Sequence, residues 1–381
     1  MSLVLDEHRR YLADRSRIQH YERALREIIR PGDVVLDVAS GTGILGLLAC
    51  RAGAARVYAI EAGPIADVAR AIVSANGLSD RVTVIRSHSS EAVLPERVDV
   101  AVSDQIGRFG FDAGILPLVA DVRTRLLKPQ GRLVPSSIDL VVAPVEYKRG
   151  AARVAFWSRR PAGFDFAPAH RVSSNTGYPA RFAGSQLLAK PHRGVALDLG
   201  GTAVSPLRIE NAFEVERAAT LDGIAGWFSA RLSPSVTISN SPLDPDRIGR
   251  RQVFFPVASP IAVTRGDRIE LAMRVLPETL VISWTVTVHP VKGAPVRHAQ
   301  STLTGMLIDP ADVRLTNPHY RPTLTTRGVA RRTVLDLCDG TRRLSAIEDE
   351  VFARHRALFR SAEEAAVFVG EVVTRYTRDD A

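Results

Sequence analysis

Val34–Val35–Leu36–Asp37–Val38–Ala39–Ser40–Gly41–Thr42–Gly43–Ile44–Leu45–Gly46 reads as a buried strand, a glycine turn and the opening of a helix. This layout holds a nucleoside-containing ligand at the carboxyl end of a parallel strand. Gly41 and Gly43 can take positive φ and have no Cβ, so ligand atoms can come close to the backbone. The helix behind them aims its free N–H groups at the same place. A second apolar strand, residues 55–60, ends in Glu61, where a carboxylate can accept bonds from both hydroxyls of a ribose. No lysine follows Gly43, which excludes the phosphate-cradling P-loop, and the spacing Asp-x-x-x-Gly-x-Gly differs from Gly-x-Gly-x-x-Gly.

Strand, turn and acidic strand end together resemble the cofactor site of class I S-adenosyl-L-methionine (SAM) methyltransferases. In that family the residue matching Asp37 organises the loop near the methionine end of the cofactor, and the residue matching Glu61 takes the ribose. Upstream, His8–Arg9–Arg10–Tyr11–Leu12–Ala13–Asp14–Arg15–Ser16–Arg17, with Tyr21 beyond, resembles the opening helix of protein arginine methyltransferases. There the residue matching Arg17 clamps the cofactor carboxylate through a guanidinium fork. The acidic residue that recognises adenine in the family falls on Ser90. The resemblance thus implies SAM as cofactor, S-adenosyl-L-homocysteine as product, and Arg17, Asp37, Gly41, Gly43, Glu61 and Ser90 as the residues around it. No metal site is implied.

Further along, residues 82–85 and 98–103 supply the third and fourth strands, and residues 126–135 run from helix to strand. After the fourth strand the family carries a loop with two glutamates. This chain has Ser103–Asp104–Gln105–Ile106–Gly107–Arg108–Phe109–Gly110–Phe111–Asp112–Ala113. Asp104 falls on the first glutamate and Ala113 on the second, with Asp112 one place early and Arg108 where a tyrosine is usual. Asp104, Arg108 and Asp112 are therefore the candidate catalytic residues.

Methyl transfer from a sulfonium is an in-line displacement, so a protein mainly positions the reactants and excludes water. An arginine acceptor is always protonated at neutral pH and needs carboxylates to orient it. The shortened Asp104, the missing second glutamate and the cation at Arg108 weaken that provision, and Arg250 reinforces the repulsion. A carboxylate acceptor, already ionised, suits Arg108 better. Guanidine and carboxylate both stay open, because Asp112 can restore the acidic pair if the loop shifts. A small-molecule methyltransferase and an inactive SAM-binding scaffold are the alternatives from other classes.

Three regions follow. Residues 1–140 are expected to hold the N-terminal helices and a Rossmann-like α/β domain. Residues 141–322, with short alternating runs between prolines and glycines, are expected to form an antiparallel β domain, which the resemblance makes a β-barrel with a dimerisation arm near 176–190. Where the family places Thr-His-Trp, this chain reads Arg247–Ile248–Gly249–Arg250–Arg251–Gln252. Residues 323–381 resemble a PqqD-like module, a small winged-helix α+β domain that recognises leader peptides, on Val334–Leu335–Asp336–Leu337–Cys338–Asp339–Gly340–Thr341 and Ile347. The implied partners are a peptide or protein substrate, a leader peptide on residues 323–381 and a second copy of the chain.

The 381 residues are 45% hydrophobic and 24% charged, enough for two or three domains with cores. The charged N-terminus and the absence of a long apolar run lead to the expectation of a cytoplasmic protein without a membrane span. Cys50 and Cys338 read as small buried side chains rather than a disulfide or zinc ligands. Net charge is +9, but the arginines are dispersed without interleaved aromatics, so nucleic acid is not the expected partner.

Overall fold

A computed structural model describes residues 4–201, 206–307, 314–315 and 317–377; the outermost residues of the expected first and last regions, 1–3 and 378–381, lie outside the described residues. The chain divides into two compact units, Met1–Met306 and Leu307–Ala381.

The first unit opens with α1 (Val4–Ala13) and α2 (Arg15–Ile28), separated by Asp14, whose side chain caps α2 by accepting from Arg17 N. An α/β layer follows: β1 (Val34–Val38), α3 (Ile44–Arg51), β2 (Arg56–Glu61), α4 (Ile65–Ala75), β3 (Val82–Arg86), β4 (Val98–Val102), α5 (Ile115–Arg125) and β5 (Leu127–Val134). All five strands are parallel, in the order β3-β2-β1-β4-β5. Such strands are covered on both faces, which is why β1 is buried at every position. The chain leaves β1 for β2 on one side and returns to β4 on the other. The carboxyl ends of β1 and β4 therefore flank a crevice at a topological switch point. Asp37 stands beside Ala59 of β2 and Val102 of β4 in the ladder, one residue from that crevice.

The rest of the unit is mainly antiparallel. After β6 (Ser137–Val145) come α6 (Lys148–Ala155), α7 (Ala167–Ser174), β7 (Tyr178–Ala180), β8 (His192–Asp198), β9 (Leu207–Glu214), β10 (Ala219–Arg231), β11 (Thr237–Ser239), β12 (Gln252–Val263), β13 (Arg268–Leu276), β14 (Val281–His289), β15 (Val296–Ser301) and the short α8 (Thr302–Gly305). One sheet runs β7-β12-β10-β6-β8 with β11 on β10; the other runs β15-β14-β13-β9. Strands β13 and β14 bury alternate residues, the period-two signature of a sheet with one face on a core. Trp284 ties the sheets together: it is buried, its indole N–H donates to Pro256 O at 2.8 Å, and its ring lies 5.3 Å from that of Phe255. Residues 176–190, the expected arm, are built into this domain: β7 pairs with β12, and Ala180, Phe182 and Leu188 are buried. Those apolar residues gain more from the core than from an exposed projection. Phe156, Phe164 and Phe166, earlier in the domain, are exposed.

The second unit has its own core. Helices α9 (Thr326–Leu337), α10 (Leu344–Arg354) and α11 (Ala362–Tyr376) bury Val334, Ile347, Val351, Phe368 and Val369 against one another. Thr325 and Ser361 cap α9 and α11. The sequence reading expects an α+β module here, but no strand occurs among its described residues. Between α9 and α10 the Asp339 carboxylate accepts from Thr341 N at 2.9 Å, closing a short turn that leaves no room for a strand. Among the described residues no helix is long and apolar enough to cross a membrane.

Candidate active site

The glycine turn after β1 is bent by residues in left-handed backbone, Ala39 at φ 56°, Gly41 at 56° and Gly43 at 80°. Gly43 precedes α3, so the first N–H groups of that helix face the crevice. Asp37 fixes the turn from below: its Oδ2 accepts from Gly46 N at 2.8 Å. Its other oxygen, Oδ1, is buried without a hydrogen-bond partner among the described residues, and so is Ser40 Oγ. Burial pushes the Asp37 carboxyl up to about 7, against the lowering effect of the Gly46 N–H. Two orphaned oxygens at the carboxyl end of β1 are costly unless a polar ligand reaches them.

Glu61 closes the far side. Its Oε2 accepts from Gly41 N at 2.9 Å and its Oε1 from Gly63 N at 2.8 Å, which leaves lone pairs on both oxygens for two hydroxyls. His8 of α1 covers the turn: a Cβ added to Gly41 would lie 2.6 Å from its ring. Ser90 is exposed, with its Oγ 2.7 Å from His88 Nδ1.

Beside the turn stands an ionic cluster around Asp104. Arg17, buried in α2, donates from Nε to Asp104 Oδ2 at 2.6 Å and from Nη1 to Tyr11 O at 3.1 Å; its Nη2 has no partner among the described residues. Arg250 donates from Nη2 to the same Asp104 oxygen at 2.7 Å and from Nη1 to Gly107 O at 3.2 Å. Tyr21 Oη donates to Asp104 Oδ1 at 3.0 Å. Burial alone would raise the Asp104 pKa, but Arg250 and Arg17 outweigh it and hold the carboxyl below its usual range. The Arg250 guanidinium, whose burial opposes the charge, is held above its ordinary pKa by Asp104. Two anchors bring Arg250 here from a loop far away in sequence: Asp14 Oδ2 accepts from Gly249 N at 2.7 Å, and Ser16 Oγ donates to Asp246 O at 2.5 Å.

The loop carrying Asp104 is rigid for identifiable reasons. Phe109 and Phe111 are buried, and the Phe109 ring meets that of Phe255 at 5.4 Å. Asp112 turns back on its own loop: its Oδ1 accepts from Arg108 N and Phe109 N, both at 2.7 Å, over the positive-φ Gly107. That oxygen is thus engaged by its own loop. Arg108 is exposed, and its guanidinium has no partner among the described residues. Asn240, wholly buried, donates from Nδ2 to Arg108 O at 2.9 Å and to Arg251 O at 3.0 Å, and accepts from Phe228 N at 2.9 Å. Sequence reasoning brought together Arg17, Asp37, Glu61 and Asp104, and named Arg250 as a further cation. It missed His8 as a cover, because a helix sequence does not show which turn lies against it, and Asn240 as a brace, because a single asparagine before a loop carries no signal.

Residues 20–139 match the family model described as ribosomal protein L11 methyltransferase (PrmA). Protein arginine N-methyltransferase 6 of Xenopus laevis is 32% identical over 249 residues, 62% of this chain and 73% of that protein. The chain belongs to the protein arginine methyltransferase family. An arginine N(omega)-methyltransferase of Streptomyces achromogenes subsp. streptozoticus is likewise 32% identical, over 277 residues, 68% of this chain and 73% of that one. Among solved structures, protein arginine methyltransferase 10 of Arabidopsis thaliana superposes with a TM-score of 0.68 at 25% identity, covering 78% of this chain and 98% of that one. The Trypanosoma brucei PRMT1 enzyme-prozyme heterotetrameric complex with AdoHcy gives 0.70 at 24% identity, covering 77% and 97%.

As a member of this family, the chain is a SAM-dependent methyltransferase. The residues present fit SAM: among the described residues the Asp37 Oδ1 and Ser40 Oγ oxygens, the remaining lone pairs of Glu61 and the Nη2 of Arg17 are unused, and they would suit polar, hydroxyl and carboxylate groups, respectively.

Proposed function

We propose that this methyltransferase acts on a peptide or protein and that the acceptor is a guanidine nitrogen. One observation carries this reading. Asp104 Oδ2 and Gly107 O already bind a guanidinium, that of Arg250. The loop thus offers a guanidinium seat, occupied from within the chain, and a substrate arginine would take the place of Arg250.

SAM, when bound, supplies the methyl group as an electrophile. Arg17 would hold its carboxylate, Glu61 its ribose, and Asp37, Gly41 and Gly43 the shape of the turn, with Ser90 at the adenine rim. Asp104 would orient the acceptor guanidinium and draw its charge away from the reacting nitrogen. Arg17 and Tyr21 position Asp104 and keep it ionised, and α1 with His8 shields the turn from water. The proton released from the methylated nitrogen would leave to solvent, with Asp104 kept ionised below its usual range by the cations it faces.

A carboxylate acceptor is the second reading, favoured by Arg108, whose guanidinium has no partner among the described residues, and by the engagement of the Asp112 Oδ1 within its own loop. Incubating the full chain with methyl-labelled SAM and peptides bearing arginine or acidic residues separates the two: N-methylarginine survives mild base, whereas an ester is hydrolysed.

The two antiparallel sheets, joined where Trp284 of β14 meets Phe255 and Pro256 of β12, support reading residues 141–322 as the family's barrel. For the homodimer proposed here, the exposed Phe156, Phe164 and Phe166 are better candidates for contact than segment 176–190, whose Ala180, Phe182 and Leu188 are buried. Residues 323–381 are proposed to act as a PqqD-like leader-peptide module, on the strength of the sequence resemblance. Cytoplasmic residence remains part of the proposal.

A further inference from the structure

In the antiparallel domain, a cavity of about 270 Å³ is lined by Arg149, Arg153, Arg181 and Arg251 with Tyr147 and Tyr178. This is large next to the ~30 Å³ share of one water molecule. Four exposed arginines line it, and none has an acidic partner among the described residues. Arg181 donates to Gly249 O at 2.7 Å, Arg153 lies over the Tyr178 ring at 5.1 Å, and the guanidinium groups of Arg149 and Arg251 make no hydrogen bond among the described residues. The two acidic groups nearby are already engaged. Glu146 pairs with Arg217, and Asp222 accepts from Tyr147 N at 2.6 Å. Like charges gathered around a concave surface repel one another and focus their field on whatever enters it.

The cavity is joined to the acceptor site through the backbone. Arg250 faces Asp104 and its neighbour Arg251 lines the cavity, so one dipeptide serves both places. Asn240 holds the Arg251 carbonyl and the Arg108 carbonyl of the acceptor loop with the same amide nitrogen. Gln252, buried in β12, donates to Asn240 O at 2.5 Å and accepts from Phe182 N at 3.1 Å, next to Arg181. Every member of this network is satisfied, which makes it a stiff link.

We propose that this arginine cavity binds a carboxylate-rich segment of the acceptor peptide, lying in sequence beside the residue that is methylated. The inference rests on the peptide reading of the acceptor. Guanidinium forks match carboxylates two bonds at a time, and the free donors of Arg149 and Arg251 supply such forks. Pro179 at the centre of edge strand β7 offers no N–H, so recognition falls to side chains rather than to strand addition.

Fluorescein-labelled hexaglutamate, titrated by anisotropy into the full chain without SAM, tests this. Binding is expected, with affinity falling as salt rises. The double variant Arg149→Ala/Arg153→Ala should weaken it about tenfold or more, with SAM affinity by calorimetry and the melting temperature unchanged. Arg331→Ala/Arg332→Ala, which removes exposed charge from the C-terminal unit, should leave it intact. No binding, equal loss in both double variants, or displacement by inorganic phosphate as readily as by unlabelled hexaglutamate would each overturn the assignment. Because no methyl transfer is read, failure here is separable from failure of the proposed reaction.

Discussion

Replacing Arg250 with alanine probes the acceptor site most sharply. Arg250 is 12% exposed and spends two hydrogen bonds on the loop, 2.7 Å to Asp104 and 3.2 Å to Gly107 O. Stripping one partner from a buried ion pair costs about 3–5 kcal/mol when the other charge is left alone. Asp104 is not left alone, since Arg17 Nε at 2.6 Å and Tyr21 Oη at 3.0 Å remain. The loss of folding free energy should therefore be nearer 2 kcal/mol, the scale of one hydrogen bond to a charged group. The effect on acceptor binding has the opposite sign. An incoming guanidinium must displace Arg250 from Asp104, and removing that competitor releases about 1.5–3 kcal/mol, roughly 10–150-fold in KM. Steady-state kinetics with an arginine peptide at saturating SAM, alongside calorimetric SAM affinity and urea unfolding, measure all three quantities. The in-chain competition is refuted if KM for the arginine peptide is unchanged or higher in Arg250→Ala while SAM affinity is intact. A collapse of kcat/KM toward an acidic peptide in that variant would instead move the acceptor to a carboxylate.

Other changes have defined outcomes. Asp104→Asn removes the charge that Arg17 and Arg250 both face; kcat for the arginine peptide should fall at least about 100-fold, the scale for losing a transition-state contact, with SAM affinity changed far less. Glu61→Ala deletes an acceptor for the ribose and should cost about 1.5–3 kcal/mol of SAM affinity per charge-assisted bond; unchanged calorimetric affinity would remove Glu61 from the site. Asp37, with its carboxyl pushed up to about 7, binds a proton in the fold that the unfolded chain releases near pH 4. Its contribution to stability is therefore full below about pH 4, declines as pH rises to about 7 and is flat above, by up to about 4 kcal/mol in all. Asp37→Asn should flatten that slope in SAM-free thermal melts between pH 5 and 8, and an unaltered slope would contradict the burial argument. Gly41→Ala should both strain a φ of 56° and push its Cβ into the His8 ring, lowering SAM affinity more than Gly32→Ala, whose Cβ meets nothing within 4 Å.

The α/β layer was legible because its signals are local. A wholly buried β1, a turn with glycines where φ is positive, and a carboxylate ending β2 lie within 28 residues of one another, 34–61. The strands of the second domain were legible in kind, since β13 and β14 alternate cleanly, but their division into two sheets depends on pairings between distant strands. The acceptor site was only half legible. Arg17 and Asp104 were named from the sequence, yet their contact spans 87 residues, and that of Arg250 with Asp104 spans 146. Sequence could not say which way Asp112 faces, because this is settled by the curl of the loop at Gly107 and by two backbone N–H groups. The cavity beneath Arg251 escaped notice for the same reason: its four arginines come from α6, the segment after β7 and the residue before β12.

The central claim, methyl transfer to a guanidine nitrogen seated at Asp104, is met most directly by the chemistry of the product. The full chain is incubated with methyl-labelled SAM and a peptide carrying both arginine and glutamate, and the labelled product is held in mild base. Label retained on the peptide and recovered as N-methylarginine after hydrolysis is the predicted result. Label released as methanol would show a methyl ester and contradict it.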